Sequence, residues 1–108
     1  MGMHLGEFEQ LVLLALARLG DEAYGVTVQR EIARRTRREM TFGTVYSTLA
    51  RLESKGFVTS ALGEPTPERG GRGKKHFRIS VTGRRELQRS LRALRVMVRG
   101  LDATWDVR

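Results

Sequence analysis

Cysteine is absent from this 108-residue chain. That removes disulfide frameworks, thiol redox switches and zinc fingers with cysteine ligands. The two histidines, His4 and His76, lie far apart with no carboxylate cluster beside either, so neither a metal site nor a cofactor is expected. No run of about 18 apolar residues occurs, and no basic stretch precedes the first apolar segment, so no membrane partner is expected and the chain should be soluble and cytoplasmic. Catalytic constellations are missing as well: there is no nucleophile with a base in register and no carboxylate pair in a distinctive spacing. The Gly-rich run ending in Lys74 and Lys75 lacks the G-x-x-x-x-G-K-S/T order, and no helical pattern starts directly after it, so it is not a phosphate-binding loop of that kind. No enzymatic activity is expected.

What the chain does have is positive charge. Twenty Lys and Arg stand against twelve Asp and Glu, giving +8 and a pI near 11.2, which favours a polyanionic partner. Arginine outnumbers lysine 17 to 3, a skew that GC-rich codon usage also produces, so distribution says more than the total. Residues 1–23 sum to −3, 24–38 to +4, 39–62 to zero, 63–80 to +3 and 81–108 to +4. A neutral segment is therefore flanked by basic ones. The length suits one domain with a single modest core.

The neutral segment and its basic neighbour form the most informative stretch. Thr41 is a good helix N-cap, since its hydroxyl can take up a free backbone N–H. Gly56 is a good terminator, because it reaches the left-handed conformation at little steric cost. Between them Val45, Leu49 and Leu52 make one apolar stripe at i, i+4, i+7. The opposite face carries Gly43, Ser47, Ala50 and Ser54, flanked by Thr44 and Arg51. Small and hydroxyl side chains there allow close approach of a partner, although an ordinary amphipathic helix would look much the same. The following chain decides between these readings. Phe57 to Leu62 reads as a strand, Pro65 and Pro67 with Gly70, Gly71 and Gly73 as a pliable loop, and Lys75 to Ser80 as a returning strand. In that strand Phe77 and Ile79 alternate with His76 and Arg78. Arg69, Arg72, Lys74 and Lys75 make the loop cationic. A capped helix followed by a two-stranded ribbon with a basic tip suits a nucleic acid duplex, the helix entering the major groove and the ribbon lying on phosphates. That is the pattern of a winged helix-turn-helix.

Two helices are expected before this stretch. The first runs from Leu5 to Leu19 and ends at Gly20. Its stripe is Leu5, Phe8, Val12, Ala15 and Leu19, and Leu11 and Leu14 extend the apolar surface far enough for two packing partners. The second runs from Tyr24 to Thr36, with Tyr24, Val28 and Ile32 inward. It ends in the run Arg34-Arg-Thr-Arg-Arg38, which is either a solvated face or a phosphate contact. After the ribbon, with Ser80 as N-cap, a terminal helix is expected over 81–108. Leu87, Leu91, Leu94, Val98, Leu101 and Trp105 are spaced 4, 3, 4, 3, 4, a heptad seam with leucine at each d position. Self-association through this seam is favoured over packing on the first helix by its place after the ribbon.

Residues Gly43 to Phe57, Gly-Thr-Val-Tyr-Ser-Thr-Leu-Ala-Arg-Leu-Glu-Ser-Lys-Gly-Phe, resemble the signature of PadR-like transcriptional regulators. So do Arg72 to Leu87 at the ribbon's end, Leu5 to Leu14, and Tyr24-Gly25. Many members have proline after the tyrosine, where this chain has Ser47. The C-terminal segment is short, as in the subgroup with a single helix there. The resemblance implies a mainly α fold with a small β-ribbon: a winged-helix DNA-binding domain over 1–80 and a dimerisation helix over 81–108. It implies a homodimeric regulator, usually a repressor, on a pseudo-palindromic duplex operator. The DNA-contacting residues would be Thr41, Gly43, Thr44, Tyr46, Ser47, Arg51, Arg72, Lys74 and Lys75. Some relatives respond to small aromatic ligands near the dimer interface, and Phe8, Val12 and Trp105 would line such a pocket here, although simple interface filler is the favoured role for Trp105. The competing reading is a basic RNA-associated protein, for which the pI alone would suffice. The dimer seam and the absence of an RNA-module signature stand against it.

Overall fold

Among the described residues each α-helix begins where a local group can take up free amides, and α1, α3 and α4 give way to a positive-φ glycine, whereas α2 ends on Arg37 in the left-handed region. The computed structural model describes residues 4–63 and 74–101. Helix α1 spans Glu7–Leu19, α2 Gly25–Thr36, α3 Phe42–Ser54 and α4 Val81–Val98, with a short 3-10 turn at Gly20–Glu22 between α1 and α2. Strand β1 (Val58–Leu62) pairs antiparallel with β2 (Lys75–Ile79), in a register running from Val58 opposite Ile79 to Leu62 opposite Lys75. The mainly helical fold with one ribbon is the expected one.

The two caps read from sequence are present. Thr44 N donates to Thr41 Oγ1 at 3.1 Å, and Gly83 N donates to Ser80 Oγ at 3.0 Å. Each such cap is worth about 0.5–2 kcal/mol. Gly56 closes α3 with φ of 80°, turning the chain straight into β1. The other edge of β2 is also occupied: Phe77 N donates to Ala23 O at 2.9 Å, and Tyr24 bridges to His76. The start of α2 is thereby stitched to the ribbon. This is why Tyr24 stands at the N-cap position, only half-buried, rather than facing inward on the helix as its spacing implied.

The core is built from Val12, Leu13, Ala15 and Leu16 of α1, Val28 and Ile32 of α2, Val45, Leu49 and Leu52 of α3, Phe57, Val58 and Phe77 of the ribbon, and Leu87 of α4. Leu13 and Leu16 were not in the expected stripe. They are buried because α1 lies between the other helices and meets α2, α3 and α4, so its apolar side chains find cover on several faces. Val12 is sealed completely in this core and cannot line a ligand pocket, which corrects that expectation. Phe8 packs against the core's edge.

Helix α4 differs most from the sequence reading. It stops at Val98, where Arg99 turns to extended ψ of 131° and Gly100 takes φ of 88°. Glycine enters that region at no steric cost and is a poor helix former, so it overrides the heptad pattern. Leu101 is consequently off the helical seam, its amide bonding back to Val98 O at 3.0 Å, and Trp105 lies outside the described residues. Leu87 is also reassigned. It is only 5% exposed within this single chain, so it belongs to the core and not to a surface seam. Leu91 leans on the same core, whereas Leu94 is 53% and Met97 75% exposed.

Candidate nucleic-acid interface

Helix α3 is held from behind by Val45, Leu49 and Leu52, all without exposure, which fixes what its other side presents. Gly43, Thr44, Tyr46, Ser47, Ala50, Arg51 and Ser54 are exposed, as are Thr41, Lys74 and Lys75. Arg72 lies outside the described residues. At 100° per residue Gly43, Ser47, Ala50 and Ser54 point furthest from the core, with Tyr46 on one flank and Thr44 and Arg51 on the other. The outermost strip is small and uncharged. A glycine there is not demanded by internal packing, since a Cβ on Gly43 would meet nothing nearer than 3.8 Å.

The hydroxyls on this face have defined roles. Ser47 Oγ donates to Gly43 O at 2.8 Å, so what it offers outward is lone pairs. Thr41 and Thr44 hydroxyls lie 2.9 Å apart and share one hydrogen bond. Ser47 therefore presents an acceptor outward, while the Thr41–Thr44 pair uses only one of its two O–H groups and still has a donor to offer.

Cations bracket the strip. On the ribbon flank Tyr46, 40% exposed, stacks on Phe42 at 5.4 Å and meets Phe77 edge-on at 6.0 Å. Lys75 Nζ lies 5.9 Å from the Tyr46 ring and 5.6 Å from that of Phe77, while Lys74 Nζ sits 4.7 Å over Tyr24. The ribbon's charge is thus brought against α3 through aromatic faces. Phe42 was missed from sequence. The signal was its place directly after the Thr41 cap, where the first helical turn has little to bury it. Gly25 leaves the room it needs, because a Cβ there would sit 2.8 Å from the Phe42 ring.

On the other flank lies a network that spacing did not reveal. Glu9 of α1 is buried, and its Oε2 accepts from Lys55 Nζ at 2.8 Å and Arg51 Nε at 3.2 Å. Its Oε1 accepts from Gly6 N at 2.8 Å, closing the first turn of α1. Burial raises its pKa, but the bonds from Lys55, Gly6 and Arg51 outweigh that and hold the carboxyl below its usual range. A Glu three residues after a capping position is a known helix-start signal, and it could have marked Glu9. Arg51 therefore already has a partner within the fold, which its assignment as a free groove-reading side chain did not include.

Arginines of the run that ends α2 are similarly engaged. Arg34 and Arg35 pair with Glu31, which Arg18 also approaches at 3.3 Å, and Arg38 reaches Glu7 at 2.6 Å. The hydrogen bond from Arg35, followed by that from Arg34, holds the Glu31 carboxyl low despite the opposing effect of burial. Arg18 and Arg38 tie α1 to α2 and its end at the surface, while Arg34 and Arg35 pair within α2.

A helix-turn-helix of α2 and α3, followed by a two-stranded wing and backed by α1, defines a winged helix-turn-helix protein. Residues 12–89 match the model of the transcriptional regulator PadR-like family; the chain belongs to that family, whose members are DNA-binding transcriptional regulators rather than enzymes. The fold is shared with a PadR family transcription regulator from Clostridium difficile, 21% identical, with a TM-score of 0.71 over 91% of this chain and 97% of that one. A PadR-like transcriptional regulator from Bacillus cereus is 15% identical with a TM-score of 0.72 over 94% and 93%. One from Eggerthella lenta is 26% identical with a TM-score of 0.67 over 94% and 88%. Comparison with curated protein sequences found no match. No helix among the described residues is long and apolar enough to cross a membrane.

Proposed function

We propose that this protein is a homodimeric repressor that reads a pseudo-palindromic duplex operator through α3 and grips the adjoining phosphates with its wing. The observation that carries this reading is the small, uncharged outer strip of α3 with cations on both flanks. Close backbone approach serves base-edge readout, and the flanking charge supplies sequence-independent affinity. Thr44, Ser47 and Arg51 are the base-reading candidates, Ser47 as an acceptor for an adenine or cytosine amino group. Thr41 and Gly43 let the helix start lie close to the backbone, Tyr46 meets phosphate, and Arg72, Lys74 and Lys75 neutralise further phosphates. An RNA partner is disfavoured by the same strip, since a helix shaped for a wide major groove has no counterpart in the narrow one of A-form RNA.

The dimer in this proposal uses the bare end of α4. Leu94, Val98 and Met97 form an apolar surface left open by the other described residues, and Leu91 and Leu101 adjoin it. Burying them against a second copy is worth roughly 1.5–3 kcal/mol per fully buried side chain before entropic costs. An open cleft of about 400 Å3 lined by Leu91, Leu94, Arg95, Val98 and Arg99 lies on this surface, and a flat aromatic effector would bind there and loosen the operator complex. Half-sites should lie about one helical turn apart, ~34 Å. The test is selection of bound duplexes from a random pool, followed by Arg51→Ala on the selected site. A bidentate contact to guanine predicts a loss of roughly 1–3 kcal/mol there and little on random DNA. Equal weakening on both would make Arg51 a phosphate contact, and preference for RNA over duplex in competition would overturn the proposal.

A further inference from the structure

Two cations meet at one carboxylate oxygen, and they do so unequally. Lys55 Nζ is at 2.8 Å from Glu9 Oε2 with a side chain 23% exposed, while Arg51 Nε is at 3.2 Å with a side chain 54% exposed. The shorter, better covered bond satisfies the buried carboxylate by itself. The longer one belongs to the residue whose outer half faces the groove-reading side of α3. Arg51 Nη2 also reaches Thr48 Oγ1 at 3.4 Å, so the guanidinium lies flat along α3 toward α1.

We infer that Glu9 is the resting partner of Arg51, a positioning residue that keeps its guanidinium folded back until a matching base pair competes for it, with Lys55 holding Glu9 once Arg51 leaves. The inference rests on the proposed role of Arg51 in base reading. A buried carboxylate stripped of every cation would be costly, which is why a single Arg–Glu pair would make a poor exchange. With Lys55 in place the exchange leaves no unpaired charge. A lone phosphate, as on random DNA, offers Arg51 little more than Glu9 already does. A guanine edge offers a bidentate contact. Glu9 thus raises discrimination by disfavouring the non-specific alternative.

Two variants move affinity in opposite directions if this is right. Glu9→Gln keeps an acceptor for Gly6 N but removes the charge that restrains Arg51. Binding to random duplex should rise roughly 1.5- to 5-fold, the scale of a part-exposed ion pair. The slope of log affinity against log salt should steepen by up to about 0.9, and the ratio of operator to random affinity should fall. Lys55→Met leaves Arg51 as the sole cationic partner of a buried carboxylate, so operator affinity should drop instead. Both effects on the ratio should vanish in an Arg51→Ala background. Melting temperatures identify any variant that has merely unfolded, and the two variants are independent of each other in that respect. Random-duplex affinity that does not rise in Glu9→Gln, operator affinity that does not fall in Lys55→Met, or shifts that persist without Arg51 would reduce Glu9 to a structural anchor. If the wild-type protein shows no preference for any duplex over random DNA, the proposed function itself fails; a clear preference untouched by Glu9→Gln removes only the inference.

Discussion

Helices α3 and α4 are built alike and end up unlike. Each opens on a hydroxyl cap, Thr41 or Ser80, and each gives way to a positive-φ glycine, Gly56 or Gly100. In α3 the apolar stripe is consumed entirely inside the chain. In α4 only the first turns are, with Gly83 and Leu87 buried and everything beyond Leu91 left open or half-open. The surface that remains therefore differs in kind. On α3 it is small, polar and bracketed by charge, which suits a hydrated polyanion that must come close. On α4 it is Leu94, Val96, Met97 and Val98, which suits another apolar surface. A helix shows its partner's chemistry by what the fold leaves uncovered, and the same local rules serve both outcomes.

The largest expected effect separates the two halves of α4. Leu87→Ala should lower the unfolding free energy by roughly 2–5 kcal/mol, as for a buried leucine replaced by a cavity. Leu94→Asp should leave the unfolding of dilute protein within about 0.5 kcal/mol of wild type, as for a surface site, yet disperse the proposed dimer in sedimentation velocity. Denaturant unfolding at low concentration, paired with sedimentation at high concentration, reads both. A Leu94→Asp protein that loses stability like Leu87→Ala would mean that the outer turns are core after all, and the contrast would collapse.

That division of α4 was not legible in the chain, for a definable reason. Heptad spacing states that Leu87, Leu91, Leu94 and Val98 share a face but not what covers it. The answer depends on where α1 ends up, with Ser90 Oγ donating to Gln10 Oε1 at 3.0 Å across the α1–α4 junction. The end of the helix was visible as Gly100, and the continuing apolar pattern at Leu101 and Trp105 masked it. Features set by neighbours in sequence fared better. The Thr41 and Ser80 caps, the α3 stripe, the alternation of Phe77 with Arg78 and the turn at Gly56 are all local, and all are present. The uncharged outer strip of α3 follows from that local order. The Glu9 network does not, since it joins side chains more than forty positions apart through packing that no periodicity encodes.

Two glycines sharpen the comparison with smaller effects of opposite sign. A Cβ on Gly83 would lie 2.1 Å from the carbonyl oxygen of Phe57. Backbone stands on both sides of that approach, and Phe57 O already accepts from Ser80 N at 2.9 Å, so neither side can yield cheaply. Gly83→Ala should cost about 1–3 kcal/mol, the range for overpacking. A Cβ on Gly43 would meet only Thr41 Oγ1, in ordinary contact at 3.8 Å, so Gly43→Ala should stabilise α3 by up to about 1 kcal/mol while weakening operator binding. Thermal melts and binding isotherms of the two variants provide the check. Destabilisation by Gly43→Ala would show that this glycine serves the fold, and the outer strip would lose one of its reasons for being small.

The smallest effect distinguishes the surfaces by salt. In the proposed complex, DNA on α3 and the wing displaces counterions, so affinity should fall steeply with ionic strength, whereas the proposed association through the apolar end of α4 should not. Lys74→Gln with Lys75→Gln should flatten the slope of log affinity against log salt by up to about 0.9 for each phosphate no longer neutralised. Both lysines lie over aromatic rings, Tyr24 for one and Tyr46 and Phe77 for the other, so part of their charge is spoken for within the fold and the change should fall short of the maximum for two phosphates. The dimerisation constant of the same variant should match wild type at every salt concentration. A slope that does not move would place both lysines on their rings and off the phosphates, leaving the α3 flank and Arg72 to supply the charge. A dimerisation constant that shifts with the wing lysines would mean that the two surfaces are coupled and not separate.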